Sequence, residues 1–173
     1  YSWEDQIATN KDGYFPYTPQ IPMLRALQES CNMIFEEGLE NVFKRHHRIA
    51  EGVRRAITEG WELKLCAKEK YWHSDTVTAI VVPEDKDAKE VLSIAFNKYH
   101  LSLGAGLTQV AGKVFRIGHL GDNNEARMMA ALGAVEMAMI DAGIKFTPGS
   151  GTGAAAKYWT SNPCKALKKR KKK

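Results

Sequence analysis

Thr76-Val-Thr-Ala-Ile-Val-Val82 is the stretch on which the fold turns. Every residue but Ala79 is β-branched, and Pro83 closes the run, so it predicts a buried strand with a sharp end. Just upstream, Trp61, Leu63 and Leu65 alternate with Glu62 and Lys64, the pattern of a half-buried strand. Downstream the spacing turns helical, with Ala88, Val91, Leu92, Ala95 and Phe96 recurring on one face. A short apolar piece at Leu101–Leu103, a glycine-rich loop and a strand over Val114–Gly118 follow.

Further out, both flanks read as helices. Leu24, Leu27, Cys31 and Ile34 make one stripe between Pro22, a residue suited to a first turn, and Gly38. Leu39, Val42, Phe43, His46, Ile49, Ala50, Val53, Ala56 and Ile57 make a second, ended by Gly60. On the other flank, Asp122-Asn-Asn-Glu125 has capping-box spacing, with Asp122 as the cap. It opens a helix through Met128, Met129, Leu132, Val135, Met139 and Ile140 that stops at Gly143. Two helices followed by β-β-α-β-α predict an α+β domain, with a small, mainly antiparallel sheet packed against helices.

Residues 21–145 are therefore read as one domain. Residues 1–20 read as an irregular interface segment: Gly13, Pro16 and Pro19 interrupt any period, and Trp3, Tyr14, Phe15 and Tyr17 need a surface to pack on. Residues 146–173 read as a flexible Gly/Ala-rich segment and a basic tail. The tail, Lys165-Ala-Leu-Lys-Lys-Arg-Lys-Lys-Lys173, carries seven positive charges and turns a net charge of −2 into +5. Basicity is thus a property of the end and not of a binding face. A solvated end, an address signal, or an arm that neutralises phosphates of RNA or anionic lipid all fit it. No apolar run approaches the roughly 20 residues of a membrane helix, and no secretory leader is visible. Cys31, Cys66 and Cys164 have neither disulfide-framework nor zinc spacing.

Among chemistry-bearing residues Arg116 stands out. Alternation puts it on one face of its strand with Val114 and Gly118, opposite Phe115 and Ile117. With glycines at 112, 118 and 121 leaving space, a planar guanidinium there suits bidentate binding of a carboxylate. An internal ion pair with an Asp or Glu is the other reading. The Thr18 hydroxyl, between Tyr17 and Pro19, suits either a phosphate oxygen or a turn. His119 reads as a hydrogen-bonded structural histidine or a group titrating near neutrality. His46 and His47 are adjacent and point to different helix faces, so they make no i,i+4 metal pair. Gly104-Ala-Gly-Leu-Thr-Gln109 ends in Gln where a dinucleotide fingerprint wants its third glycine. Gly149-Ser-Gly-Thr-Gly-Ala154 has no strand before it, so neither reads as a nucleotide site.

Phe15-Pro-Tyr-Thr-Pro19, Ile34-Phe-Glu-Glu-Gly-Leu-Glu-Asn41, Thr76-Val-Thr-Ala79, Leu101-Ser-Leu-Gly104 and Lys113–Gly121, in this order, resemble the C-terminal part of class V aminotransferases dependent on pyridoxal phosphate. The likeness is to the serine–glyoxylate branch and runs to about residue 156. It implies a homodimer with active sites at the subunit boundary. It implies that Arg116 binds the substrate carboxylate and that Thr18 reaches across the dimer to the cofactor phosphate. Tyr17 is implied as a neighbour of that contact. The family's cofactor lysine lies upstream of the first stretch, in a large domain with no counterpart in these 173 residues. The chain is therefore expected to be one piece of an enzyme, completed by a lysine-bearing large domain or second subunit and inactive alone. The alternative is a non-catalytic remnant serving as a structural subunit of a larger assembly, such as a ribonucleoprotein contacted through residues 165–173. The C-terminus is not Ser-Lys-Leu, so a peroxisomal address is not expected; a soluble intracellular setting, cytoplasm or organelle matrix, is.

Overall fold

The computed structural model describes residues 2–163. Along the chain run α1 (Trp3–Asn10), α2 (Ile21–Glu37), α3 (Leu39–Arg55), β1 (Lys64–Leu65), β2 (Val77–Val81), α4 (Ala88–Tyr99), β3 (Gly104–Ala105), β4 (Val114–Gly118), α5 (Glu125–Asp141) and α6 (Ser150–Ser161). The β-branched run forms β2 as the sequence predicts. It lies at the centre of a four-stranded sheet ordered β1-β2-β4-β3, with every pairing antiparallel. The α+β class holds.

Register decides which side of the sheet is buried. Thr78 pairs with Ile117 and Ile80 with Phe115, and these four residues face the helices. Ile49, Val53 and Ile57, Val91 and Ala95, Met128, Leu132, Val135 and Met139, and Ala155 and Trp159 close over them as one core. The opposite face, with Val77, Ala79 and Arg116, is half-buried.

Several expectations need correction. Residues 3–10 are helical: the Ser2 hydroxyl caps α1 by accepting from the Glu4 N–H at 3.1 Å, and no breaker occurs before Gly13. Trp61 is not in a strand, because Glu62 takes a left-handed φ of 55° and only Lys64–Leu65 pair. A π-helical turn over Ala56–Gly60 extends α3 and delivers Trp61 into the core instead. The glycine-rich loop contains β3, and Asn124, not Asp122, caps α5 by accepting from the Arg127 N–H at 3.0 Å. Residues 150–161, read as part of a flexible segment, form α6. Tertiary contact there overrides the poor helix propensity of glycine.

The chain divides into two compact units, one reaching Val42 and the other starting at Phe43. The expected boundaries at 20 and 145 are displaced because α2 contributes nothing to the buried core, whereas α6 contributes Gly151, Ala155 and Trp159. None of the described residues before Phe43 is buried. No described helix is long and apolar enough to cross a membrane. Cys164 and the 165–173 cluster lie outside the described residues.

Candidate functional site

Arg116 sits in the middle of β4, between Ala79 of β2 and Gly104 of β3. Both neighbours are small, so nothing beside it competes for the space over the sheet. Its Nε–H donates to the Ala105 carbonyl at 3.0 Å. No carboxylate of the described residues pairs with it, so the internal ion pair is not made. Both Nη groups are left without a protein acceptor among the described residues. A buried scaffold on one side of the strand thus carries a cation with its outer fork open on the other.

In the first unit, Thr18 lies in the exposed stretch between α1 and α2, and no described residue accepts from its hydroxyl. Tyr17 is tied down locally. Its phenol donates to Asp5 Oδ2 at 3.0 Å, and that hydrogen bond, with the carboxylate's charge, raises the phenol above its ordinary range.

His119 proves structural. It is buried, with Nδ1 3.1 Å from the Asp75 carbonyl and Nε2 2.8 Å from Thr78 Oγ1. A carbonyl only accepts, so Nδ1 carries the proton and Nε2 accepts from Thr78 in the neutral ring. Burial, assisted by the nearby Arg54 charge, pushes its pKa down to about 4. Arg54 is itself buried and spent: it donates to Glu51, to the Ser74 carbonyl and to Asp75. Burial alone would raise the Asp75 carboxyl, but hydrogen bonds from Arg54 and His47 outweigh it and hold the group below its usual range. The His46 ring accepts from the Gly121 N–H at 3.0 Å, and no His/Cys/Asp/Glu cluster among the described residues is arranged to hold a metal.

Gly149–Thr152 does bind an anion, but an internal one. Glu136 of α5 accepts from the N–H groups of Gly149 (2.9 Å), Gly151 (3.0 Å) and Thr152 (3.1 Å), and from Trp61 Nε1 (2.9 Å). The N-terminus of α6 is therefore already occupied by a carboxylate. Nothing local in the sequence signals this seat, or the opposition of Gly104 to Arg116. Each depends on residues far apart in the chain, the second on a two-residue strand too short to announce itself.

No family profile matches the chain. It is 53% identical over 163 residues to a serine–glyoxylate aminotransferase of Methylorubrum extorquens, covering 94% of this chain and 40% of that protein. It is 53% identical over 166 residues to the enzyme of that name from Hyphomicrobium methylovorum, covering 96% and 41%. In structure it resembles pyridoxamine–pyruvate aminotransferase from Mesorhizobium loti, with a TM-score of 0.80 at 30% identity over 88% of this chain and 39% of that one. The chain thus spans about two-fifths of the length of the relatives it matches.

Proposed function

The chain corresponds in sequence and fold to the C-terminal part of serine–glyoxylate-type aminotransferases, and from that premise we propose that it supplies the substrate-carboxylate arm of such an enzyme. The observation that carries this reading is the open fork of Arg116, held on a rigid strand with no counter-ion among the described residues. Two parallel N–H···O bonds from its Nη groups match an α-carboxylate in position and plane, which fixes how an amino or keto acid lies.

The implied cofactor is pyridoxal phosphate, which when bound supplies the electron sink of transamination. The described residues fit only part of its needs. Thr18 has a free hydroxyl suited to a phosphate oxygen. The buried polar side chains, however, are Arg54, Thr78, His119 and Glu136, and no described lysine is among them. A lysine held away from water is what the cofactor's aldehyde requires. We therefore assign the lysine to the part of the relatives that this chain does not span, and Thr18, with Tyr17 beside it, to the cofactor-phosphate contact made across a subunit boundary. A dimer of the class V type, with serine and glyoxylate as substrates, follows as the working assignment.

The test is purification of the protein from its own source, with co-purifying polypeptides and bound cofactor identified by native mass spectrometry. Pyridoxal phosphate held on a lysine outside these 173 residues, with serine–glyoxylate turnover, is the expected result. Arg116→Lys keeps the charge but loses the fork, and is expected to raise KM for serine about a hundredfold, or about 3 kcal/mol. A cofactor-free particle, or an unchanged KM in Arg116→Lys, overturns the assignment.

A further inference from the structure

We propose that Gly104 and the backbone carbonyl of Ala105 form a positioning device that sets which edge of the Arg116 guanidinium faces substrate. The inference rests on Arg116 being the carboxylate anchor and concerns how that anchor is aimed.

In an antiparallel pair, directly opposed residues project their Cβ atoms on the same face about 5 Å apart. Gly104 is directly opposed to Arg116. A Cβ at position 104 would lie 3.0 Å from Arg116 Cβ, 3.0 Å from Nε and 3.4 Å from Cζ. Those distances mean that the arginine does not stand upright from β4 but lies back across β3, in the volume a side chain at 104 would fill. Here glycine is needed for the space it leaves, not for a special φ.

Lying there, the side chain reaches the next carbonyl along β3, and Nε–H donates to Ala105 at 3.0 Å. A guanidinium can grip a carboxylate through its side edge, Nε with one Nη, or through its end, Nη1 with Nη2. Occupying Nε closes the side edge and leaves the end-on fork. Holding the stem flat also removes rotamer freedom that an arginine would otherwise lose on binding. The specificity that results is for a carboxylate approaching end-on. Ala79, on the opposite flank, adds no competing polar group.

Even one methyl group at 104 forces the stem to shift by a few tenths of an ångström and strains the Nε–H···O bond. Gly104→Ala in the complete holoenzyme is therefore expected to raise KM for serine about tenfold while kcat stays within about twofold. On an Arg116→Lys background, which has no Nε donor to aim, Gly104→Ala should add nothing. An unchanged serine KM in Gly104→Ala overturns the positioning role, as does the same loss on the lysine background. If Arg116→Lys leaves KM unchanged, it is the anchor reading that fails.

A second readout does not depend on turnover or on Gly104→Ala folding. In the wild-type protein the Arg116 Nε–H, identified by its loss in Arg116→Lys, should exchange with solvent more slowly than other exposed arginine Nε–H groups. Exchange at the rate of a solvated guanidinium overturns the proposal.

Discussion

A buried neutral imidazole makes His119 a pH-dependent element of stability. Its folded pKa of about 4 lies below the value of 6.5 it has when solvated, so the unfolded chain takes up its proton first as pH falls. The stabilisation is complete above pH 6.5, declines between 6.5 and 4, and is gone below 4. The shift corresponds to roughly 3 kcal/mol over that window. Urea titrations at several pH values should show this slope, and His119→Leu should flatten it, at a lower overall stability because the Thr78 hydroxyl and Asp75 carbonyl lose their partner. An imidazole that titrates near 6.5 by NMR in the native protein would contradict the assignment. Arg116 offers the opposite case: a charge on a half-buried strand that is left open. The difference between the two was only partly legible in the sequence. Alternation along Val114–Gly118 places Arg116 on the face opposite Phe115 and Ile117, as found. That its neighbours across the sheet are Ala79 and Gly104, and that no described carboxylate pairs with it, depends on the strand order β1-β2-β4-β3, which no local pattern encodes.

At the scale of elements, α6 shows where the sequence was silent. Gly149-Ser-Gly-Thr-Gly153 has the composition of a loop, and helix propensity alone would keep it one. The helix exists because Glu136, thirteen or more residues upstream, brings a carboxylate to its first N–H groups, and because glycines let α6 pack closely on the π-turn and Trp61 that follow α3 and let Trp159 lie against Gly52 of α3. A Cβ at Gly151 would meet Trp61 Nε1 at 2.1 Å, and one at Gly52 would meet Trp159 Nε1 at the same distance. Arg48 closes the other end of α6, donating to the carbonyls of Trp159 and Asn162 and to Glu125. By contrast, α2, α3, α4 and α5 were legible because each carries its own apolar period, and β2 because it is a β-branched run closed by Pro83. Glu136→Gln turns an amide N–H toward backbone donors and should cost about 2 kcal/mol. Gly151→Ala overpacks a fully buried tryptophan and should cost about 3 kcal/mol. Chemical denaturation with far-UV circular dichroism checks both; losses under 0.5 kcal/mol in each would show that α6 does not depend on this seat.

For the whole molecule, the contrast is between a unit with a core and a unit without one. From Phe43 onward, Trp61, Phe115, Leu132 and their neighbours are sealed from water. Before it, α2 keeps Leu24, Leu27, Ile34 and Phe35 exposed, and α1 keeps Trp3 83% exposed. A helix of 17 residues with no buried face is marginal in water, and an apolar surface of that extent marks a site of interaction. The relatives supply more than half of their length outside the matched region, and we expect that remainder to be the cover. Hydrogen exchange distinguishes the cases. In the 173-residue chain alone, the amides of α2 should exchange orders of magnitude faster than those of α5, whose Leu132, Val135 and Met139 are in the core. In the complete protein the protection of α2 should rise toward that of α5. Equal protection in the chain alone at low concentration would mean that α2 needs no cover. Protection that grows with concentration would mean that a second copy of this chain supplies it.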